Sequence, residues 1–225
     1  MNYISTPEFG AFDDRSQVII TGANPVGLSL ALFLAQHEIA VTVLAAGSQV
    51  ADDIYPIALH SSTLDLLARS GVSSALSEAG DEIEQVCFRT LATQDIERVP
   101  LSGERKTQIL IDEQKLNAIL SDAVAAHSKA HLVLGETLQG FRRTDDLVEV
   151  LSFDGTDETL RPAKYLIGTD GSSSTVRRGS GILLDSFSAQ ERQIMLVTDH
   201  DFTQDFEDLE AINIVSSETG IAALI

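Results

Sequence analysis

Tryptophan is absent from this sequence, cysteine occurs once, and 225 residues hold only three tyrosines and five prolines. The lone Cys87 has no partner for an internal disulfide, which excludes the disulfide framework of small secreted proteins. Basic residues are scarce as well: 15 Lys and Arg stand against 34 Asp and Glu, for a formal net charge of −19. A surface of that sign repels phosphate backbones and anionic membranes, so neither nucleic acid nor a lipid surface is expected as a partner. No apolar run approaches the ~20 residues of a membrane-spanning helix. The polar leader at 1–16 has no basic stretch followed by an apolar one, so no secretory signal is read and a cytoplasmic location is expected.

What is present is enough apolar material, 44% of all residues, for a substantial core. The run Gln17-Val-Ile-Ile-Thr21 reads as a buried strand, and Leu28, Leu32 and Ala35 between Pro25 and His37 fall near helical spacing. A second buried strand, Val41 to Ala45, follows. Strand, tight turn, helix and strand within about thirty residues form a βαβ unit, whose sheet is expected to be parallel. A short helix is expected in the segment Ser61 to Val72, capped by Ser62 or Thr63 and stopped by Gly71. A longer one is expected where Leu116, Ile119, Leu120, Ala123 and Val124 recur at three-and-four spacing. Short strand-like runs fill 84–111 and 131–168, and three more follow Gly181: one from Gln193, one from Glu210 to Ser217, and the last from Gly220 to Ile225. The expected class is α/β, a Rossmann-like parallel sheet with helices on its faces, plus the start of a mostly antiparallel second domain. Its parts are the leader 1–16, a dinucleotide-binding domain 17–181 and opening strands 182–225.

The turn Gly22-Ala23-Asn24-Pro25-Val26-Gly27 lies between a strand and a helix, the context the Gly-rich dinucleotide fingerprint requires. Gly22 permits the tight turn, Gly27 permits close packing of helix on strand, and the helix N-terminus offers N–H groups to a pyrophosphate. The middle glycine of the fingerprint is Asn24, whose side chain stands where a pyrophosphate must approach the backbone. At the end of the second strand, where a carboxylate is expected to hold the ribose hydroxyls, the residue is Ala45, and Asp52 or Asp53 lies far along to replace it. On the motif alone, a βαβ turn that merely holds its sheet is an equal alternative.

A second motif is more specific: Tyr165-Leu-Ile-Gly168-Thr169-Asp170-Gly171-Ser-Ser-Ser174-Thr-Val-Arg177. It closely resembles the Asp-Gly signature of FAD-dependent aromatic hydroxylases and related monooxygenases. The resemblance implies that the Asp-Gly turn closes over the FAD pyrophosphate and influences a reduced nicotinamide donor, while Ser and Arg secure the following helix. By position these are Asp170, Gly171, Ser174 and Arg177. The segments from Pro56 to Val72 and from Leu110 to His127 also resemble the family, with Pro56 and Glu113 standing where it carries cofactor-contacting Arg and Gln or Arg. Glu113 would bring a negative charge toward a phosphate.

The resemblance implies FAD as cofactor, NADH or NADPH as electron donor, and hydroxylation of an aromatic or other electron-rich small molecule. Four altered contacts, Asn24, Ala45, Pro56 and Glu113, lead to the expectation that FAD is held weakly or lost. The rival is a flavin-free relic of the fold, acting as a binding module or as one subunit of a split enzyme. The family is nearly twice as long, and its second Gly-Asp motif is not found after Gly181. A completing C-terminal chain, or self-association through the apolar run ending at Ile225, is therefore expected. No residue is assigned to acid or base catalysis. No metal is expected: Asp199, Asp201, Thr203, Glu207 and Glu210 fall at calcium-loop spacing, but Gln204 replaces the required Gly. His127 and His131 have no third ligand in reach, and Cys87 is read as a core residue.

Overall fold

A computed structural model describes residues 17–47, 56–101, 108–186 and 194–225. In chain order it contains β1 (Val18–Thr21), α1 (Pro25–Gln36), β2 (Val41–Ala45), β3 (Pro56–Leu59), α2 (Ser61–Ala68), α3 (Ser73–Ala79) and β4 (Asp81–Ile83). Next come β5 (Gln85–Thr90), β6 (Asp95–Pro100), β7 (Gln108–Asp112), α4 (Glu113–Ala126), β8 (Ala130–Leu134), β9 (Thr137–Arg143) and β10 (Val148–Phe153). The last are β11 (Glu158–Ala163), β12 (Tyr165–Gly168), α5 (Thr175–Gly179), β13 (Asn213–Ser217) and β14 (Gly220–Leu224). Among the described residues, 17–47, 67–72 and 113–183 form one compact unit, and 56–66, 73–101, 108–112, 184–186 and 194–225 the other.

The first unit is built on a parallel sheet of order β12-β1-β2-β8. Every residue of β1 and β2 is buried, which is why these strands read as unbroken apolar runs rather than as alternation. In α1, Leu28, Ala31, Leu32 and Ala35 are buried, and in α4 Leu116, Leu120 and Val124 are buried at four-residue spacing. Both helices therefore present one apolar stripe, and they pack on each other and on the sheet.

An antiparallel meander β9-β10-β11 completes the unit. Its turns are made by short polar side chains: Asp154 Oδ1 accepts the N–H groups of Thr156 and Asp157, both at 2.8 Å, and Thr144 Oγ1 accepts the N–H of Leu147 at 3.1 Å. Leu138, Val148, Val150 and Ala163 from the meander form one cluster with Ile19 and Leu44 of the parallel sheet.

Polar groups pin that contact. Glu136 donates its N–H to the Ala45 carbonyl at 3.0 Å, and its carboxylate is gripped by both nitrogens of Arg161 at 2.6 and 2.7 Å and by Ser152 Oγ at 2.6 Å.

The second unit contains a four-stranded sheet, β14-β13-β5-β6, and a three-stranded antiparallel sheet, β3-β7-β4. In the larger sheet β13 runs parallel to β5, while the outer pairs are antiparallel. Cys87 is fully buried there. Arg89 is buried beside it and donates to the Asp208 carbonyl and, at 3.5 Å, to Asn213 Oδ1.

The structure differs from expectation at the start of α2, where Ser62 and Thr63 lie inside the helix instead of capping it, and in one strand-like run. The strand expected from Gln193 is not formed among the described residues: 194–201 carry no regular structure, and Ile194, Met195, Leu196 and Val197 are all exposed. A strand exists only where a neighbour takes its backbone groups, and this run has none in the sheets formed. The leader 1–16 lies outside the described residues. Among those described, no helix is long and apolar enough to cross a membrane.

The Glu136–Arg161 pair yields a stability test. Burial works against the charged carboxyl of Glu136, but hydrogen bonds from Arg161 and Ser152 and the guanidinium charge outweigh it and hold it below its ordinary value. A lowered folded pKa stabilises the fold above the unfolded value of about 4.3, and that contribution is lost as pH falls through the lower folded value. Glu136→Gln is expected to cost about 3 kcal/mol near neutrality by stranding Arg161. The gap between wild type and variant in urea unfolding is expected to narrow as pH is lowered below the unfolded carboxyl's value.

Candidate functional site

The residues singled out in the sequence meet at the C-terminal end of β1. The chain leaves the strand at Gly22, where φ is +108°, a conformation that L side chains rarely adopt. A Cβ there would lie 2.5 Å from the Thr169 carbonyl oxygen. At Gly27 a Cβ would overlap the Gly22 carbonyl oxygen and lie 2.6 Å from Thr169 Oγ1. The two glycines thus let the β1–α1 turn and the segment after β12 come into backbone contact. Thr169 completes the junction: its N–H donates to the Thr21 carbonyl at 2.8 Å, and its hydroxyl lies 2.8 Å from the same oxygen and 3.0 Å from the Gly22 carbonyl.

Asn24 is the N-cap of α1. Its backbone is extended, with φ −123° and ψ 176°. Its side-chain oxygen accepts the N–H groups of Val26 and Gly27, each at 3.1 Å. The Asn24 carbonyl accepts the N–H of Leu28 at 2.9 Å, and Pro25 has none to give. Across the groove, Asn24 Nδ2 donates to the Thr169 carbonyl at 2.6 Å. The side chain therefore sits on the end of its own helix and bridges to the Asp-Gly segment. Asn before a Pro at the first helical position is a strong capping pattern, so this role had a signal in the sequence.

Asp170 faces the other way, into the first turn of α5. Its carboxylate accepts from Ser174 Oγ and from the N–H groups of Thr175 and Val176, at 2.6 and 3.2 Å. Ser174 is the cap of α5, taking the N–H of Arg177 at 3.0 Å, and the Arg177 guanidinium returns to the Ser172 carbonyl at 2.8 Å. Partial burial opposes ionisation of Asp170, but the Ser174, Val176 and Thr175 donors prevail and hold its carboxyl below the ordinary value. A carboxylate so saturated is a fastener, unsuited to taking up a proton near neutrality.

The remaining sequence candidates are more scattered. Ala23 is buried and Val26 exposed beside Asn24. Ala45 ends β2, buried, with no carboxylate to offer a ribose. Glu113 opens α4, and Pro56 opens β3 in the second unit. Asp52 and Asp53 lie outside the described residues. Thr169, which contacts both glycines, is the member that sequence reasoning did not single out. Its signal was its place between Gly168 and Asp170. Among the described residues no group of three or more His, Cys, Asp or Glu is placed to hold a metal ion.

The groove can be tested against an FAD pyrophosphate, which needs N–H donors at the helix N-terminus. Val26, Gly27 and Leu28 have given theirs to Asn24. The Asp170 carboxylate is committed to α5, and Ala45 lacks the group for a ribose. The fold and its close backbone approach suit a dinucleotide, but the donor set as arranged does not fit one.

Comparison with known proteins agrees on the fold. Residues 15–223 match the model of a family described as FAD binding domain. The 3-demethoxyubiquinol 3-hydroxylase of Escherichia coli is 33% identical over 179 residues, covering 74% of this chain and 44% of that protein. The rifampicin monooxygenase of Streptomyces venezuelae is 31% identical over 166 residues, covering 73% and 34%. The chain therefore spans less than half the length of either relative. Among solved structures, p-nitrophenol 4-monooxygenase from Pseudomonas putida superimposes with a TM-score of 0.79 at 18% identity, covering 92% of this chain and 56% of that one.

The junction predicts a sharp steric response. Gly27→Ala is expected to destabilise the protein by about 2 kcal/mol or more, because the colliding atom is backbone and cannot swing aside. Urea denaturation followed by circular dichroism measures this, and a variant within error of wild type would show that the helix can draw away from Gly22 freely.

Proposed function

The chain belongs to the FAD binding domain family, and from that premise we propose that it is the N-terminal portion of an aromatic-hydroxylase-like flavin monooxygenase in which FAD is held weakly or not at all. The observation that carries the reading is the Thr169–Asp170–Gly171 turn docked on the Gly22 to Gly27 loop. That is the place where a dinucleotide fold holds its pyrophosphate. The protein of which it forms part draws electrons from NADH or NADPH and hydroxylates an aromatic or other electron-rich small molecule in the cytoplasm. Residues 17–181 supply its FAD-binding domain, and 182–225 open a substrate domain. Gly22, Ala23, Asn24, Pro25, Val26, Gly27, Asp170 and Gly171 line the cofactor groove, and Ser174 and Arg177 secure the helix behind it. What these residues do is position and seal; no proton-transfer role falls to any of them.

A second reading is favoured by the Asn24 cap together with Ala45: a flavin-free module that keeps the fold for binding or for completing another chain. The two are separated by purifying the chain and measuring retained flavin by absorbance. Each missing cofactor contact is worth about 1 to 3 kcal/mol, so the losses at Asn24 and Ala45 are expected to lower affinity by several tenfold steps. The expected result is a colourless protein after dialysis. Stoichiometric FAD retained through dialysis overturns the weak-cofactor reading.

A further inference from the structure

We propose that the Asn24 carboxamide is a resident substitute for the cofactor's pyrophosphate, tying together the two segments that a dinucleotide would bridge and so stabilising the ligand-free fold. The inference rests on the reading that the groove keeps the FAD-binding fold while holding FAD weakly or not at all.

The two segments are the N-terminus of α1 and the turn that follows β12. An anion between them would accept N–H groups from the helix. Asn24 Oδ1 fills that role, taking two of them at 3.1 Å each, and the end of α1 needs no external acceptor. On the other side stands a carbonyl, that of Thr169, which repels a phosphate oxygen but suits an amide N–H. Asn24 Nδ2 donates to it at 2.6 Å. The amide's orientation follows from its surroundings, since turning it over would set an NH2 group against two N–H donors and an oxygen against a carbonyl. Only a side chain with an acceptor and a donor at its tip, one bond from the cap position, meets both demands. Glycine meets neither, and aspartate meets only the first. The Thr169 hydroxyl holds its own segment to Thr21 and Gly22, so the amide joins two parts already fixed to the β1 strand end and closes the space between them.

The experiment compares wild type with Asn24→Gly and Asn24→Asp in the full chain. Urea unfolding is followed by circular dichroism, since the chain has no tryptophan, and is run with and without added FAD. Without ligand, Asn24→Gly is expected to raise the unfolding equilibrium constant about tenfold, from one lost hydrogen bond and a weakened cap. Asn24→Asp keeps the cap and loses the bridge, so it is expected to fall between the two. With FAD, the unfolding midpoint of Asn24→Gly is expected to rise with ligand concentration while that of wild type stays fixed. If both variants unfold like wild type and wild type ignores FAD, the substitution is overturned while the weak-cofactor reading stands. If Asn24→Gly is destabilised but gains no response to FAD, Asn24 is an ordinary cap and the proposal fails. If wild type is stabilised by FAD at least as strongly as Asn24→Gly, the helix donors are available and the underlying reading fails with it. Should Asn24→Gly not fold, Asn24→Asp decides: stability equal to wild type shows that the bridge to Thr169 contributes nothing and overturns the proposal.

Discussion

The closeness of Thr169 to Gly22, through its backbone, and to Gly27, through its hydroxyl, is the constraint on which the first unit depends. The Thr169 carbonyl and hydroxyl occupy the space in which any Cβ at those two positions would stand. Because no side chain intervenes, β12 can lie beside β1 in parallel register, with Thr21 opposite Gly168, and α1 can start directly above the strand it follows. Asn24 and Asp170 work within that junction. One caps α1 and the other fastens α5, so two helices begin from a single crowded strand end.

The rest of the unit is arranged to keep that end in place. The central strands β1 and β2 are buried on both faces, and the meander sits against Ile19 and Leu44. Glu136 and Arg161 add a charged clamp beside the end of β2. In a chain of net charge −19, a carboxylate close to others is disfavoured unless cations or N–H groups meet it. Glu136 and Asp170 are the carboxylates that the fold meets most fully in this unit, each with three donors from the protein.

Much of this was legible in the chain. The β1–α1–β2 unit announced itself because strands buried on both faces read as continuous apolar runs and because Gly22 and Gly27 frame a helix start. α4 was legible from Leu116, Leu120 and Val124. The segment from Gly168 to Arg177 carried the family resemblance, and its residues do lie together at the head of β1. Other parts were not readable from local pattern. α3 is short and polar, β3 opens on Pro56, and β11, Glu158–Ala163, sets Arg161 on the face of the buried Ala163, where alternation would ask for an apolar residue, with Pro162 next to it. The apolar run Ile194 to Val197 has strand composition, yet a strand is settled by the presence of a neighbour, which composition does not report. Asn24 reads as an obstacle to a ligand and, before Pro25, as a local cap on α1; its bridge to Thr169, 145 positions away, has no local signal.

The parallel pairing of β13 with β5 has a bearing on how the molecule is made. Arg89 and Asn213, joined across that ladder, are 124 positions apart. β5 and β6 can form their hairpin as soon as both have left the ribosome, but the free edge of β5 must wait until Asn213–Ser217 has been synthesised. Closing so long a loop before any reward from pairing slows assembly. Until β13 is made the edge, with Phe88 on an exposed position, is open to a strand from another nascent chain. Crowded synthesis, more than finished-state stability, is thus where this topology leaves the protein most vulnerable.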